Sequence, residues 1–198
     1  MKEGFILKKG KVYSLSREER EEVQAFVKDQ LRKEYIWPSK SPQMSPVYFV
    51  AKKNSTWRMV QDYRHINQWT IKNRYPLPLI ADILDEVGKR KVFTKLDLRW
   101  GYNNIRIKEG DEWKAVFTIH IGAYEPIVMY FGLTNSPTTF QTIMNDLFCD
   151  LINQRDTATF IDDILVATDI KEGHDELVEK VLKRLEENDL FIKPEKCK

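Results

Sequence analysis

Cysteine is nearly absent: two residues in 198, Cys149 and Cys197. Their separation makes neither a disulfide framework nor a metal-ligand spacing, so both read as reduced thiols. Histidine is equally scarce. His65, His120 and His174 stand apart from one another and from either cysteine, which excludes zinc-site patterns. Long apolar runs are missing too. The longest are strand-sized, such as Ile164 to Thr168, far below the roughly 20 apolar residues of a membrane helix. The opening Met-Lys-Glu-Gly-Phe lacks the apolar core of a secretory signal. No segment is of low complexity and no internal repeat is visible. These absences lead to the expectation of a soluble intracellular protein, cytoplasmic or nuclear, neither secreted nor membrane-bound.

What is present is charge, and it is unevenly placed. The net value is only +2, yet residues 1–75 carry 16 Lys and Arg against 8 Asp and Glu, a surplus of +8. The remainder carries 16 against 22, a deficit of −6, and contains the adjacent pair Asp162 and Asp163. One portion suits phosphates and the other cations.

Hydrophobic periodicity organises the chain. Ser16 and Glu19 form a capping box, after which Val23, Phe26, Val27 and Leu31 recur at helical spacing, predicting a helix over 17–34. Val47 to Ala51 and Trp57 to Asp62 flank Lys-Lys-Asn-Ser-Thr as a hairpin, with Lys52, Lys53 and Arg58 at or beside its tip. Pro76 and Pro78 introduce a short helix that stops at Gly88. Val92 to Leu98 reads as a strand, followed by three inserted strands over 103–107, 113–119 and 124–130. A long helix opens at Ser136-Pro137, then strands at Thr157 to Ile161 and Ile164 to Thr168, a helix over 173–188, and a last strand at Leu190 to Lys193. Without the insertion, residues 92–193 follow the β-α-β-β-α-β order of a split-βαβ, ferredoxin-like unit.

That order has a chemical consequence. The crossover makes its first and second strands parallel, so the end of the first strand lies at the same edge as the turn from second to third. Asp97 closes the first strand and Asp162-Asp163 occupy the turn, bringing three carboxylates to one small volume. Like charges so close raise one another's pKa. A bound cation removes that penalty, and two hard divalent ions about 3.5–4 Å apart can drive a phosphoryl displacement. Magnesium suits such a carboxylate-and-water site. An Asp-Asp pair in a turn also occurs simply because Asp favours turns. Asp97, an ionisable group in an apolar-flanked strand whose only nearby cations in sequence are Lys95 and Arg99, weighs against that alternative.

Phe160-Ile161-Asp162-Asp163-Ile164-Leu165-Val166 resembles the signature turn of reverse transcriptases from retroviruses and gypsy-type LTR retrotransposons. Val92 to Tyr102 resembles the family's first catalytic motif, and Tyr130-Phe131-Gly132-Leu133-Thr134-Asn135-Ser136-Pro137 its second. Trp57 to Arg64, Tyr75-Pro76-Leu77-Pro78 and Lys193-Pro194-Glu195-Lys196-Cys197 resemble further segments, in the family's order. Retroviral members often carry glutamine where this chain has Phe131, so the likeness is stronger to the retrotransposon branch.

The resemblance implies an α+β, right-hand polymerase fold. Residues 1–90 would be a basic fingers subdomain and 91–198 the split-βαβ palm, with part of the fingers inserted near 103–134 and the thumb absent. It implies RNA-directed DNA polymerase activity: template-directed, two-metal transfer of a nucleotide from dNTP to a primer 3′-hydroxyl, weak or lacking in a piece without primer grip and thumb. Asp97 and Asp162, assisted by the Leu98 carbonyl, would be the principal ligands of two Mg2+ ions, with Mn2+ able to substitute, and Asp163 the third carboxylate. Arg58 would grip the triphosphate, Lys52 or Lys53 its outer phosphate, and Tyr102 and Phe131 would border the nucleotide. Asp62, Arg64, Gly132, Asn135, Ser136 and Pro137 would position template and nucleotide. Implied partners are an RNA or DNA template with its primer, dNTPs, and thumb, connection and RNase H domains in a parent polyprotein; a retrotransposon protein would work in a cytoplasmic virus-like particle or in the nucleus. From the residues alone, Arg58 and the lysines fit a solvated hairpin face and Tyr102 a packed aromatic. A non-catalytic binding module that kept the fold, and a nucleotide cyclase built on a similar palm, are the competing classes.

Overall fold

The computed structural model describes residues 1–51 and 57–198. Lys52 and Lys53 therefore lie outside the described residues. The chain divides into two compact units, residues Met1–Lys72 with Ile105–Ser136, and residues Asn73–Asn104 with Pro137–Lys198.

In the first unit, α1 (Arg17–Arg32) begins at the Ser16 cap: the Ser16 hydroxyl accepts from the Glu19 amide while the Glu19 carboxylate accepts from the Ser16 amide. Val23 and Val27, one turn apart, are buried on its inner face. After β1 (Ile36–Pro38) come β2 (Ser45–Ala51) and β3 (Trp57–Gln61), paired antiparallel from Val47 opposite Gln61 to Ala51 opposite Trp57. A six-residue helix, α2 (Arg64–Trp69), follows directly. It is too short to show helical periodicity in the sequence.

The second unit begins with α3 (Ile80–Val87), whose last turn closes with the Gly88 amide on the Leu84 carbonyl at 2.8 Å. The compact division places residues 73–90 with this unit, whereas the sequence reading grouped them with the basic N-terminal part. Hydrogen bonds explain the shift: the Tyr75 hydroxyl accepts from Asn145, and Arg90 pairs with Asp156 and Asp169. The strand β4 (Val92–Asp97) is next.

The chain then returns to the first unit for β5 (Phe117–Ile119) and β6 (Gly122–Pro126). Two of the three inserted strands are corrected here. Residues 101–104 and 112–115 are single 3-10 turns, and of 124–130 only the start is strand. The alternation of apolar residues arises instead from tight turns that bury Tyr102 and Ala115. The five strands form one sheet in the order β1-β6-β5-β2-β3. Tyr63, Ile66, Phe117, Val128 and Tyr130 join Val23 and Val27 in its core.

The second unit resumes with α4 (Ser136–Leu147), α5 (Cys149–Asn153), β7 (Thr157–Phe160), β8 (Asp163–Thr168) and α6 (His174–Glu187). Its sheet order is β4-β8-β7 with both pairings antiparallel, so β4 and β7 run parallel on either side of β8. Phe140, Met144, Phe148, Leu151, Ile164, Val166, Val181 and Leu185 are buried in this unit. The expected last strand at 190–193 is reduced to one bridge, Ile192 opposite Leu98, because the chain turns into a 3-10 turn at Pro194–Lys196. Among the described residues no helix is long and apolar enough to cross a membrane.

Candidate active site

The ladder between β4 and β8 sets Asp97 opposite Asp163. The Ile161–Asp162 turn joins β7 to β8 at this same edge, and the Leu98 amide donates to the Asp162 carbonyl at 2.9 Å. Three acidic residues, two of them 65 and 66 positions from the third, thus share the end of one small sheet. Ile161 has φ +53°, a left-handed conformation rarely adopted by a β-branched residue. The turn is therefore held by its surroundings rather than by its own preference.

Electrostatics distinguishes the three carboxylates. Asp97 accepts from the Lys193 ammonium at 2.9 Å, with Lys196 at 3.8 Å from its other oxygen. Asp163 pairs with Lys95 at 3.0 Å. Asp162 has no such partner: its Oδ1 is buried without a hydrogen bond among the described residues. Burial pushes its carboxyl above the usual range, the charges of Asp97 and Asp163 add to the rise, and Lys193 and Lys196 oppose it.

This donor set fits hard cations, since a buried carboxylate oxygen without a donor beside two further carboxylates lacks positive charge. Among the described residues no three His, Cys, Asp or Glu side chains converge as a ready ligand cage. Asp97 and Asp163 are instead each paired with an ammonium group.

Tyr102 belongs to the same unit. It is only 5% exposed and stands edge-on to Phe140, centroids 5.6 Å apart at 86°. Burial, helped by the charge of Asp162, pushes its hydroxyl up to about 12. Gly101 makes the close approach feasible, because a Cβ there would meet the Phe140 ring at 2.9 Å. Pro137 lies in the first turn of α4, where its missing N–H is no loss.

The other residues singled out in the sequence are in the first unit. The Arg58 guanidinium sits 4.9 Å from the centre of the exposed Phe131 ring. Asp62 takes Arg64 in a two-pronged pair at 2.8 and 2.7 Å, and this hydrogen-bonded contact holds the Asp62 carboxyl below its usual range. Gly132 has φ +92°, which requires glycine, and its carbonyl accepts from Asn67 at 2.6 Å. Asn67 also accepts from the Thr134 amide, Asn135 donates to the Ile71 carbonyl, and the Ser136 hydroxyl donates to the Tyr130 carbonyl. Lys2, Arg64, Asn67, Gln68, Lys72 and Thr134 line a shallow basic recess.

Sequence reasoning missed Lys193, Lys196, Asn67 and Gln141. The two lysines lie in a segment quoted for its family likeness, but nothing local ties them to a carboxylate 96 and 99 positions away. Gln141 reads as an ordinary residue of the helix opened at Ser136, Asn67 falls in a stretch where no element was expected, and neither has a sequence signal of its own.

The profile of the family described as reverse transcriptase (RNA-dependent DNA polymerase) matches residues 50–198. The Transposon Tf2-3 and Tf2-7 polyproteins of Schizosaccharomyces pombe are each 36% identical over 167 residues, covering 84% of this chain and 12% of the polyprotein. A solved foamy viral protease-reverse transcriptase in complex with RNA/DNA hybrid superposes with a TM-score of 0.88 at 25% identity, over 98% of this chain and 26% of that one. A Prototype Foamy Virus protease-reverse transcriptase mutant gives 0.88 at 28% identity, over 98% and 26%. The chain thus spans about an eighth of the curated relatives' length and about a quarter of the solved chains. Its mixed sheets with flanking helices are the polymerase fold of retroviral reverse transcriptases, and with most of its length matched, the chain belongs to the reverse transcriptase family.

Proposed function

We propose that this chain carries the nucleotidyl-transfer centre of an RNA-directed DNA polymerase, with the first unit as fingers and the second as palm. One observation carries the reading: Asp97 stands in register with Asp163 beside a turn that buries an unpartnered oxygen of Asp162. Asp97, Asp162 and Asp163, with the Leu98 carbonyl, would hold two Mg2+ ions, or Mn2+ in their place, which supply Lewis-acid polarisation of the phosphoryl oxygens and a template for in-line displacement.

The remaining work falls to this chain's own side chains. Arg58 binds the triphosphate, and Phe131 keeps its guanidinium lying across a flat apolar surface. Lys52 or Lys53, one and two positions after Ala51 in the sequence, neutralises the outer phosphate. Tyr102 forms the wall beneath the sugar. Asp62, Arg64, Gly132, Asn135, Ser136 and Pro137 shape the surface that takes template base and incoming nucleotide. The substrates are dNTPs and a primer on an RNA or DNA template. Solved foamy viral relatives in complex with RNA/DNA hybrid and with double-stranded DNA support that choice. In a longer polyprotein, thumb, connection and RNase H domains would complete the grip on the duplex, inside a cytoplasmic virus-like particle or in the nucleus.

The test is primer extension on an RNA template with magnesium, using this chain and a version extended through a thumb. Asp97→Asn and Asp162→Asn should abolish incorporation in the extended version, each removing a ligand charge, with Asp163→Asn less severe. Extension at the parent rate by Asp162→Asn would overturn the reading.

A further inference from the structure

Ile161 is the residue before Asp162, and its left-handed φ of +53°, unfavourable for a β-branched residue, makes the turn strained. Something must hold it there. The Ile161 amide donates to the side-chain oxygen of Gln141 at 2.7 Å. Gln141 lies on α4 and is fully buried. Because the Ile161 amide can only donate, the oxygen of Gln141 must face it and the nitrogen must face the other way. That nitrogen, with two hydrogens to give, has three acceptors in range: the Thr159 carbonyl at 3.1 Å, the Thr159 hydroxyl at 3.0 Å and Asn145 Oδ1 at 2.8 Å. The Thr159 hydroxyl donates in turn to Asn145 Oδ1 at 2.9 Å, and the Asn145 nitrogen to the Tyr75 hydroxyl at 2.7 Å. A relay of fixed groups thus runs from Tyr75 through Asn145 and Gln141 to the turn. It gives Tyr75 a task that its place in the Tyr75-Pro76-Leu77-Pro78 segment did not reveal.

On the far side of the turn, the Leu98 amide holds the Asp162 carbonyl at 2.9 Å. Asp162 is therefore set between two hydrogen bonds, one from Leu98 just after β4 and one reaching it through Gln141. An Ile161 released from Gln141 would relax toward ordinary backbone angles and swing the Asp162 carboxylate. We propose that Gln141 is a positioning residue: by accepting from the strained Ile161 amide it fixes the Asp162 carboxylate where it can share a cation with Asp97. The inference rests on the role proposed above for Asp162.

Two measurements on the 198-residue chain test it. In Gln141→Met, hydrogen exchange at the Ile161 amide should quicken by about tenfold, the scale of one lost buried hydrogen bond, while Ile164 and Val166 stay protected. Affinity for Mn2+ alone, followed by electron paramagnetic resonance, should fall by a similar factor of about ten. Adding Ile161→Gly should restore manganese affinity, because glycine adopts the turn without strain; a packing role for Gln141 would not be repaired by a glycine at 161. Unchanged Ile161 exchange, unchanged manganese affinity, or exchange that rises evenly through β7 and β8 each overturns the proposal. Should Gln141→Met not fold, Tyr75→Phe removes only the far hydroxyl and should give the same pattern at about threefold; parent-like exchange there is equally fatal. A parent chain that binds no manganese sinks the metal reading instead, and exchange at Ile161 then decides the case of Gln141 alone.

Discussion

Lys193 places its ammonium 2.9 Å from Asp97 Oδ1, while the Lys193 amide donates to the Asp97 carbonyl at 2.8 Å. Backbone and side chain of one residue thus grip both ends of another that lies 96 positions earlier. The ammonium supplies a single positive charge where the proposed reaction calls for divalent ions, so pair and metal compete for one carboxylate.

That competition is measurable. Lys193→Met keeps the aliphatic stem and removes the charge, leaving a mostly buried Asp97 with the more distant Lys196. In chelator the variant should be less stable by about 1.5–3 kcal/mol, the range for a lost hydrogen bond to a charged group. Added Mg2+ should then raise its melting temperature more than it raises the parent's. Equal magnesium shifts in the two proteins would show that the lysine does not stand in for the ion.

Arg58 and Phe131 give a second prediction. An exposed cation–π contact contributes about 0.5–1 kcal/mol, so Phe131→Ala should raise the KM for dNTP by about two- to fivefold with kcat little changed, measured in the thumb-extended version. Phe131→Trp should keep the parent KM. A fall in kcat with KM unchanged would place Phe131 against the reacting groups instead.

Acid stability offers a third. Arg184 holds Asp150 with Nη2 at 2.6 Å from Oδ2, and Lys180 lies 3.5 Å away. Its hydrogen bonds and charge hold the Asp150 carboxyl far below the ordinary value of 3.8. A depressed carboxyl stabilises the fold at any pH above its unfolded value, and the contribution disappears as pH falls through the folded one. Asp150→Asn should therefore melt lower than the parent at neutral pH, and the gap should begin to narrow below about pH 4 and close only as pH falls through the much lower folded value. Raising the salt concentration should narrow it as well, because the pair is exposed. A gap that persists unchanged into acid would mean the substitution acts through packing.

What the sequence made legible was local or topological. The Ser16–Glu19 box and the Gly88 stop rest on residues within a turn of one another, and the β2–β3 pairing on two neighbouring apolar runs. Asp97 beside Asp163 follows from strand order alone, because a crossover fixes which strand ends coincide. The strand expected over 103–107 and the first half of that over 113–119 failed, although Phe117–Ile119 is strand, because apolar spacing at tight 3-10 turns resembles strand alternation over so few residues. Lys193 on Asp97 and Gln141 on Ile161 stayed invisible for another reason. Each depends on a side chain arriving from a distant element at hydrogen-bond range, and no periodicity records that.

Tyr102 carries the last prediction, and its burial sharpens the test. The ring is packed edge-on against Phe140, so Tyr102→Ala removes a core side chain and should cost about 3–5 kcal/mol of stability. If the same ring also forms the wall beneath the sugar, its loss opens room for a ribose 2′-hydroxyl. Exclusion by a rigid wall can exceed the roughly 1–3 kcal/mol that a methylene costs in a pocket that fits. In the thumb-extended version, the ratio of deoxyribonucleotide to ribonucleotide efficiency should then drop by about tenfold or more, chiefly because ribonucleotide incorporation rises. Tyr102→Phe separates the two roles: it keeps the ring, and with it both the packing and the discrimination. A Tyr102→Ala protein that stays folded at the assay temperature yet discriminates as the parent does would leave Tyr102 as a packing residue only, and the wall would have to be sought elsewhere in the site.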